Sequence, residues 1–257
     1  SNPCVVSTDP PETRVYWGDI HSHHGSSYFD ELGDLVDENL QYAQDVAALD
    51  FAGESMKLPP TEVYGEELWQ DLQAACSIYE SDEFVPFLAF EWMGPGGSGH
   101  HNVYFDGCFG EVTESPFLSG LDGANGLWEF MDDMVVENPG LRVMSVPHAS
   151  KYTGFGWSVQ DEEARPTAEV FSEWGESIEP DGLRSVPDGL IAGNILGFIA
   201  SSDNHDGFMG NPLAYKNEKG GLVAALASDL TRDDIYEAIV GRATYATAVE
   251  RMVAVSW

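Results

Sequence analysis

Apolar residues along the chain fall into short strand-like runs, separated by stretches in which they recur three and four residues apart. The strand-like runs are RVYWGDI (14–20), LDFAG (49–53), FVPFLAF (84–90), HNVYF (101–105), LRVMSV (141–146), TAEVF (167–171) and ILGFIAS (195–201). Most are too apolar for a strand with one wet face, and fit strands covered on both sides by helices. Between them, Leu35, Leu40, Ala43, Val46 and Ala47 recur at helical spacing, as do Leu68, Leu72, Ala75 and Tyr79, and then Leu127, Met131, Met134 and Val135. These stripes predict amphipathic helices with the named residues in the core. Thr231 with Asp234 marks a capped helix start, and Gly241 marks its end after Ile235, Ala238 and Ile239. The alternation predicts an α/β fold of successive β/α units.

The 257 residues suit one α/β barrel, read as a single domain over 1–257 with residues 1–13 as an N-terminal extension. Gly94 to Gly99 and the stretch 173–193 are rich in Gly and Pro and read as long loops. The terminal RMVAVSW reads as a strand beginning where the chain stops, so truncation after 257 is expected. The start, without Met or a signal-like segment, reads as processed or trimmed, which favours a periplasmic or extracellular location.

Composition narrows the class. Hydrophobic residues make up 43% of the chain and aromatics 12%, enough for a large core, which excludes disorder. The 44 acidic against 11 basic residues give a net charge of −33. On that balance nucleic acid and anionic lipid are excluded as partners, because phosphate binding calls for a basic footprint. No apolar run approaches the ~20 residues of a membrane helix. Cys4, Cys76 and Cys108 match neither a zinc ribbon nor a redox motif, and no disulfide framework is expected. Oligomeric state is not readable.

The chemistry lies in the histidines. All seven sit at or just beyond strand runs: His21, His23 and His24 in GDIHSHHG, His100 and His101 in GSGHHNV, His148 in VPHAS, and His205 in SSDNHDG. Four strand runs end in a ligand-type residue: His21 and His23, Glu91, His148, and Asp203 with His205. The C-terminal ends of parallel barrel strands converge on one face. An HxH pair on an extended segment turns both imidazoles to the same side, so His21 and His23 can share one metal. Alone that pair is weak, since a single histidine is more often a satisfied structural residue, but the DxH pair Asp203 and His205 repeats the geometry. The GxGxxG spacing at Gly94, Gly96 and Gly99 precedes a strand-like run rather than a helix, which argues against a dinucleotide site.

These motifs, YWGDIHSHHG, FLAFEW, GHHNVYF, VPHAS, SSDNHDG and RATYATAVERM, resemble a bacterial branch of the polymerase and histidinol phosphatase (PHP) superfamily, over most of the chain. The resemblance implies a distorted seven-stranded (β/α) TIM-like barrel holding two, or three, divalent metals. It implies His21, His23, Glu91, His100, His148, Asp203 and His205 as metal ligands, with Glu91 bridging. Two positions depart from the pattern: Met56 and Lys57 stand where the superfamily has a DH dipeptide, with Glu54 a candidate substitute, and Asp30 is an uncertain match for a further ligand.

Five imidazoles and two carboxylates around two cations make an electropositive pocket that selects a small anionic substrate. Two bridged metals lower the pKa of a shared water and suit phosphate-ester hydrolysis by a metal-bridging hydroxide. Asp203 or His205 would accept the proton, and Lys57 and Lys151 would neutralise substrate oxygens, with Arg165 and Arg251 weaker candidates. The ligand set suits zinc, manganese or iron alike. Two alternatives stay open: metal-assisted hydrolysis of an amide, lactone or carbohydrate-derived bond, and a barrel that binds metal or anion without catalysis. Trp92, Tyr152, Phe155, Trp157 and Trp174 either line a pocket for a sugar or aryl group or pack the loops.

Overall fold

The computed structural model describes residues 12–23, 33–56, 62–94, 97–112, 123–148, 150–153, 156–211, 220–248 and 251–253. The first half of the chain forms β1 (Arg14–Ser22), α1 (Gly33–Gln41) continued by a π turn (Tyr42–Val46), β2 (Phe51–Met56), α2 (Glu62–Tyr79), β3 (Val85–Met93) and β4 (His100–Phe105). Then come α3 (Gly123–Glu137), β5 (Val143–His148), α4 (Ser150–Thr153), β6 (Thr167–Ser172) and β7 (Gly175–Glu176). The last part forms α5 (Val186–Ile191), β8 (Gly197–Ala200), β9 (Leu222–Ala227), α6 (Arg232–Val240) and β10 (Thr244–Thr247).

Seven strands make one curled sheet in the order β10-β9-β1-β2-β3-β4-β5, and β7-β6-β8 make a smaller one. β1, β2 and β3 are parallel, whereas β4 is antiparallel to both β3 and β5. The expected TIM-like barrel is therefore corrected to an open half-barrel of mixed strand direction. The reason is local: a β/α crossover takes a dozen or more residues, and the Gly94 to Gly99 connection is too short for one. Gly94 N–H donates to the Gly99 carbonyl (2.8 Å), closing a hairpin loop in which Gly97 and Gly99 take φ of 97° and 71°. Gly94 and Gly99 thus serve a β-hairpin.

Alternation along β3 shows how the sheet is covered. Leu88, Phe90 and Trp92 join Val36, Leu40, Leu68, Leu72, Leu127 and Met131 in the core formed with α1, α2 and α3. Phe87 and Ala89 face the other way, onto Tyr104, Val146 and the α6 residues Ile235 and Ile239. Glu91 follows Phe87 and Ala89 in this alternation, so its carboxylate emerges on the face away from those helices. α6 begins as the sequence predicts, with Thr231 Oγ1 accepting from Asp234 N–H (3.1 Å).

The two sheets meet at the end of β1. Its first half pairs with β9, from Arg14 opposite Ala227 to Gly18 opposite Val223. Beyond a register shift between Asp19 and Ser22, it hydrogen-bonds instead to the segment after β8. Asp203 N–H donates to the His21 carbonyl and His23 N–H to the Asn204 carbonyl, both at 2.7 Å. Buried Asp19 clamps this seam by accepting from Ser202 N–H (3.0 Å) and Gly210 N–H (2.8 Å).

Several sequence expectations need correction. The strand β9 was not foreseen, because LVAALA is alanine-rich and alanine is depleted in strands. The stretch 173–193 holds β7 and α5, the latter opened by a Ser185 and Asp188 capping box. Val46 and Val135 are 64% and 37% exposed rather than core. Residues 251–253 form no strand, and 254–257 lie outside the described residues, as do Cys4 and the side chain of Leu35. Cys76 and Cys108 form a disulfide (Cα–Cα 5.4 Å), contrary to the expectation of none. Their partnership is made by the fold, which sets the last turns of α2 beside the residues just after β4. Among the described residues no helix is long and apolar enough to cross a membrane.

Candidate metal centre

Six ligand-type side chains converge at the C-terminal end of β1, β3 and β5, the start of β4 and the segment after β8. Glu91 on β3 sits at the middle. Its Oε1 lies 2.7 Å from Nδ1 of His100 and 3.3 Å from Nε2 of His148, while its Oε2 lies 3.4 Å from Nε2 of His23. The sheet register explains the first contacts: His100 pairs with Met93 on one side and with His148 on the other. Across the seam, Asp203 Oδ1 lies 3.1 Å from Nε2 of His21 and 3.2 Å from Nε2 of His23. Asp203 takes a left-handed backbone conformation, φ 53°, which Asp tolerates better than most residues. Three groups could hold a metal ion by their geometry: His21, His23 and Asp203; Glu91, His100 and His148; and His21, His148 and Glu169.

Burial sets the charge states. His23 is pushed down to about 3, first by loss of solvent, and His148 is lowered by burial and by the neighbouring His21. Burial opposes ionisation of Glu91 and Asp203, yet the imidazoles around them prevail and hold both carboxyls well below their ordinary range. On His21 burial opposes a proton, but the carboxylates of Asp203 and Glu169 outweigh it and raise its pKa well above normal. His23 and His148 are thus neutral and the carboxylates ionised, the forms that bind cations, whereas His21 holds a proton that a metal ligand must give up.

The ligand test is the set of stranded atoms. Nε2 of His21, both ring nitrogens of His23 and of His148, and Oδ1 of Asp203 are buried without a hydrogen-bond partner. Buried polar atoms are rarely left so, because desolvation without a bond costs about 1–3 kcal/mol each. A cation would take up one nitrogen of each of these rings together with Asp203 Oδ1, and imidazole with carboxylate is a donor set for zinc, manganese or iron. The residues fit a divalent metal.

Two carboxylates were missed by the sequence reading. Glu169, on β6, accepts from His21 Nδ1 at 2.8 Å and is 2% exposed. It sits inside TAEVF, an ordinary strand pattern with no motif around it. Glu173, just past β6, is buried with its Oε1 3.8 Å from Nδ1 of His205, and burial raises its pKa. His205 lies at the rim, its Nδ1 donating to the Asp203 carbonyl (2.9 Å) and its ring 4.4 Å from that of His23.

The remaining candidates fall elsewhere. Lys57 and Asp30 lie outside the described residues. Lys151 pairs with Glu176 on β7 (3.1 Å). Arg165 is buried against the rings of Trp128 and Trp157 and donates to the Val159 carbonyl, a core position rather than an anion site. Arg251 donates to the Ala47 carbonyl. Glu54 alternates onto the face of Ala52 and Met56, which pack in the helix-side core, and it belongs to none of the three metal-capable groups.

Comparison with known proteins agrees on the architecture. A two-domain protein from Bacteroides vulgatus ATCC 8482 containing a predicted PHP-like metal-dependent phosphoesterase superposes with a TM-score of 0.58 at 14% identity, over 95% of this chain and 68% of that one. The chain thus has a PHP-like α/β fold, with a cluster of side chains able to hold metal. It belongs to the family described as protein of unknown function (DUF3604), whose model matches residues 31–181. That span includes Glu91, His100, His148 and Glu169 but neither His21 and His23 nor Asp203 and His205. No curated protein matches the sequence. A further solved structure is endonuclease Q in complex with a 27-mer duplex carrying an abasic lesion, with a TM-score of 0.43 and 13% identity over 89% of this chain and 57% of that one. That structure is a complex with duplex DNA, and the exclusion of nucleic acid drawn from net charge is withdrawn. Overall acidity does not describe the local field of a site that holds metal.

Proposed function

We propose that the chain is a metal-dependent hydrolase that cleaves a phosphate ester. The observation that carries this reading is the division of one buried carboxylate between two ligand groups, with Glu91 Oε2 toward His23 and Oε1 toward His100 and His148. In this reading His21, His23, Glu91 and Asp203 would hold one divalent cation, and Glu91, His100 and His148 a second. Cations held there would supply an acidified water and charge neutralisation at phosphorus.

The chain's own groups do the rest. Glu169 accepts the Nδ1 proton of His21, which fixes the tautomer and turns Nε2 toward Asp203. His205 commits Nδ1 to the Asp203 carbonyl, so its Nε2 is the atom presented for proton transfer. His205 and His100, with side chains 19% and 29% exposed, are the open members of an otherwise buried set, and mark the side from which substrate enters. Export from the cytoplasm accompanies this reading, since a disulfide such as Cys76–Cys108 persists in an oxidising compartment.

The test is a panel of phosphomonoesters, phosphodiesters, carboxylic esters, lactones and amides, run with protein reconstituted in zinc, manganese or iron. Turnover of a phosphoester that disappears with Glu91→Ala is expected. Turnover confined to carbonyl substrates would overturn the phosphoesterase reading, and turnover of none would favour a binding domain.

A further inference from the structure

Of the five aromatic residues that the sequence offers as a pocket lining, the structure separates one from the rest. Trp92 and Trp157 are 0% and 4% exposed, and the Trp157 indole donates to the Arg184 carbonyl, so both pack the interior. Phe155 and the side chain of Tyr152 lie outside the described residues. Trp174 is 44% exposed.

Its place is set by the turn between β6 and β7. Ser172 and Gly175 pair across that turn, with Gly175 at φ 115°, and Trp174 N–H donates to Ser172 Oγ (3.3 Å). Glu173 N–H donates to the Ser202 carbonyl (3.0 Å), which fastens the turn to the segment carrying Asp203 and His205. The indole Nε1 donates to the Asp203 carbonyl (3.2 Å), and the ring stands edge-on to His205 with centroids 5.6 Å apart. The polar edge of Trp174 is therefore anchored to the backbone of a candidate ligand, while the residue stays 44% exposed beside His205, whose side chain is itself 19% exposed.

We propose that Trp174 is a specificity-determining residue, a fixed platform at the entrance of the metal centre that stacks on a planar aromatic ring carried by the substrate. This rests on the phosphoesterase reading and narrows it to esters bearing an aryl or nucleobase-like group. An indole held in place loses little freedom on contact and favours flat π surfaces.

The test is equilibrium binding of phenylphosphonate and methylphosphonate to the metal-loaded protein by calorimetry, with Trp174→Ala and Trp174→Phe alongside. Wild type is expected to prefer the phenyl probe by about tenfold. Trp174→Ala should bring the two probes within about twofold of each other with methylphosphonate affinity and metal content unchanged, and Trp174→Phe should keep most of the preference. Equal binding of the probes by wild type would overturn the platform alone. So would an equal loss of both in Trp174→Ala, which would make the residue a mere support for Asp203. If wild type binds neither phosphonate, the phosphoesterase reading falls and the platform with it.

Discussion

The two halves of the candidate centre are built in different ways. Glu91, His100 and His148 stand on three neighbouring strands of one sheet, and backbone register alone brings them together. His21, His23 and Asp203 meet across the seam between two sheets, where β1 leaves β9 and a loop residue adopts a left-handed conformation. The first half is rigid by construction. The second depends on clamps: Asp19 beneath the loop and Glu169 behind His21. Ligands on continuous strands need little support, whereas ligands across a seam draw further buried polar residues into the site.

The largest effect that separates the halves is expected from Asp203→Asn, which keeps a residue type tolerant of positive φ but removes the charge. It should release one metal equivalent, retain the other, and lower kcat/KM by about a thousandfold. Elemental analysis with steady-state assays reads both. Retention of both metals would mean that the seam half does not bind on its own.

The sheet half carries a covalent brace and the seam half has none among the described residues. The Cys76–Cys108 bridge spans 32 residues of sequence, and Cys76→Ser with Cys108→Ser should lower stability by about 3–4 kcal/mol, read by denaturant unfolding. Metal content in the folded double variant should not change.

Glu169→Gln probes the clamp. It keeps shape but loses the acceptor charge behind His21, so the seam-half metal should bind about 10- to 100-fold more weakly while the sheet-half metal is unaffected. Metal titration with two resolvable affinities would show it, and equal weakening of both would erase the distinction between the halves.

The smallest effect concerns two adjacent residues of β4 that face opposite ways. His100 enters the site, whereas His101 is buried beside Trp92. Burial, followed by the charge of Arg165, pushes the pKa of His101 well below its ordinary value. The unfolded chain therefore takes up a proton near pH 6.5 that the folded chain refuses, and stability falls as pH drops below that point, by about 1.4 kcal/mol per pH unit. His101→Gln should flatten that slope in pH-dependent unfolding, and an unchanged slope would place the acid sensitivity elsewhere.

What was legible in the sequence follows the same division. HxH, DxH and the histidines at strand ends were visible because ligand spacing at the end of an apolar run is unusual. Glu169 was not, since an isolated glutamate in a strand looks like any exposed position until the second sheet folds against β1. The half-barrel escaped for a related reason. Strand identity is written in local alternation, but the turn from parallel to antiparallel pairing after β3 is decided by the length of one glycine loop, and β9 hides in a run of alanines. The disulfide likewise joins residues that only the packing of α2 against the end of β4 brings together.

The central claim is that Glu91 is shared by two metal positions. Its most direct test is metal stoichiometry by elemental analysis on protein purified without chelators or affinity nickel, comparing wild type with Glu91→Ala after reconstitution in zinc, manganese or iron. Two equivalents in wild type and loss of both in the variant are expected. Full retention in Glu91→Ala, or no bound metal in wild type, would contradict the account.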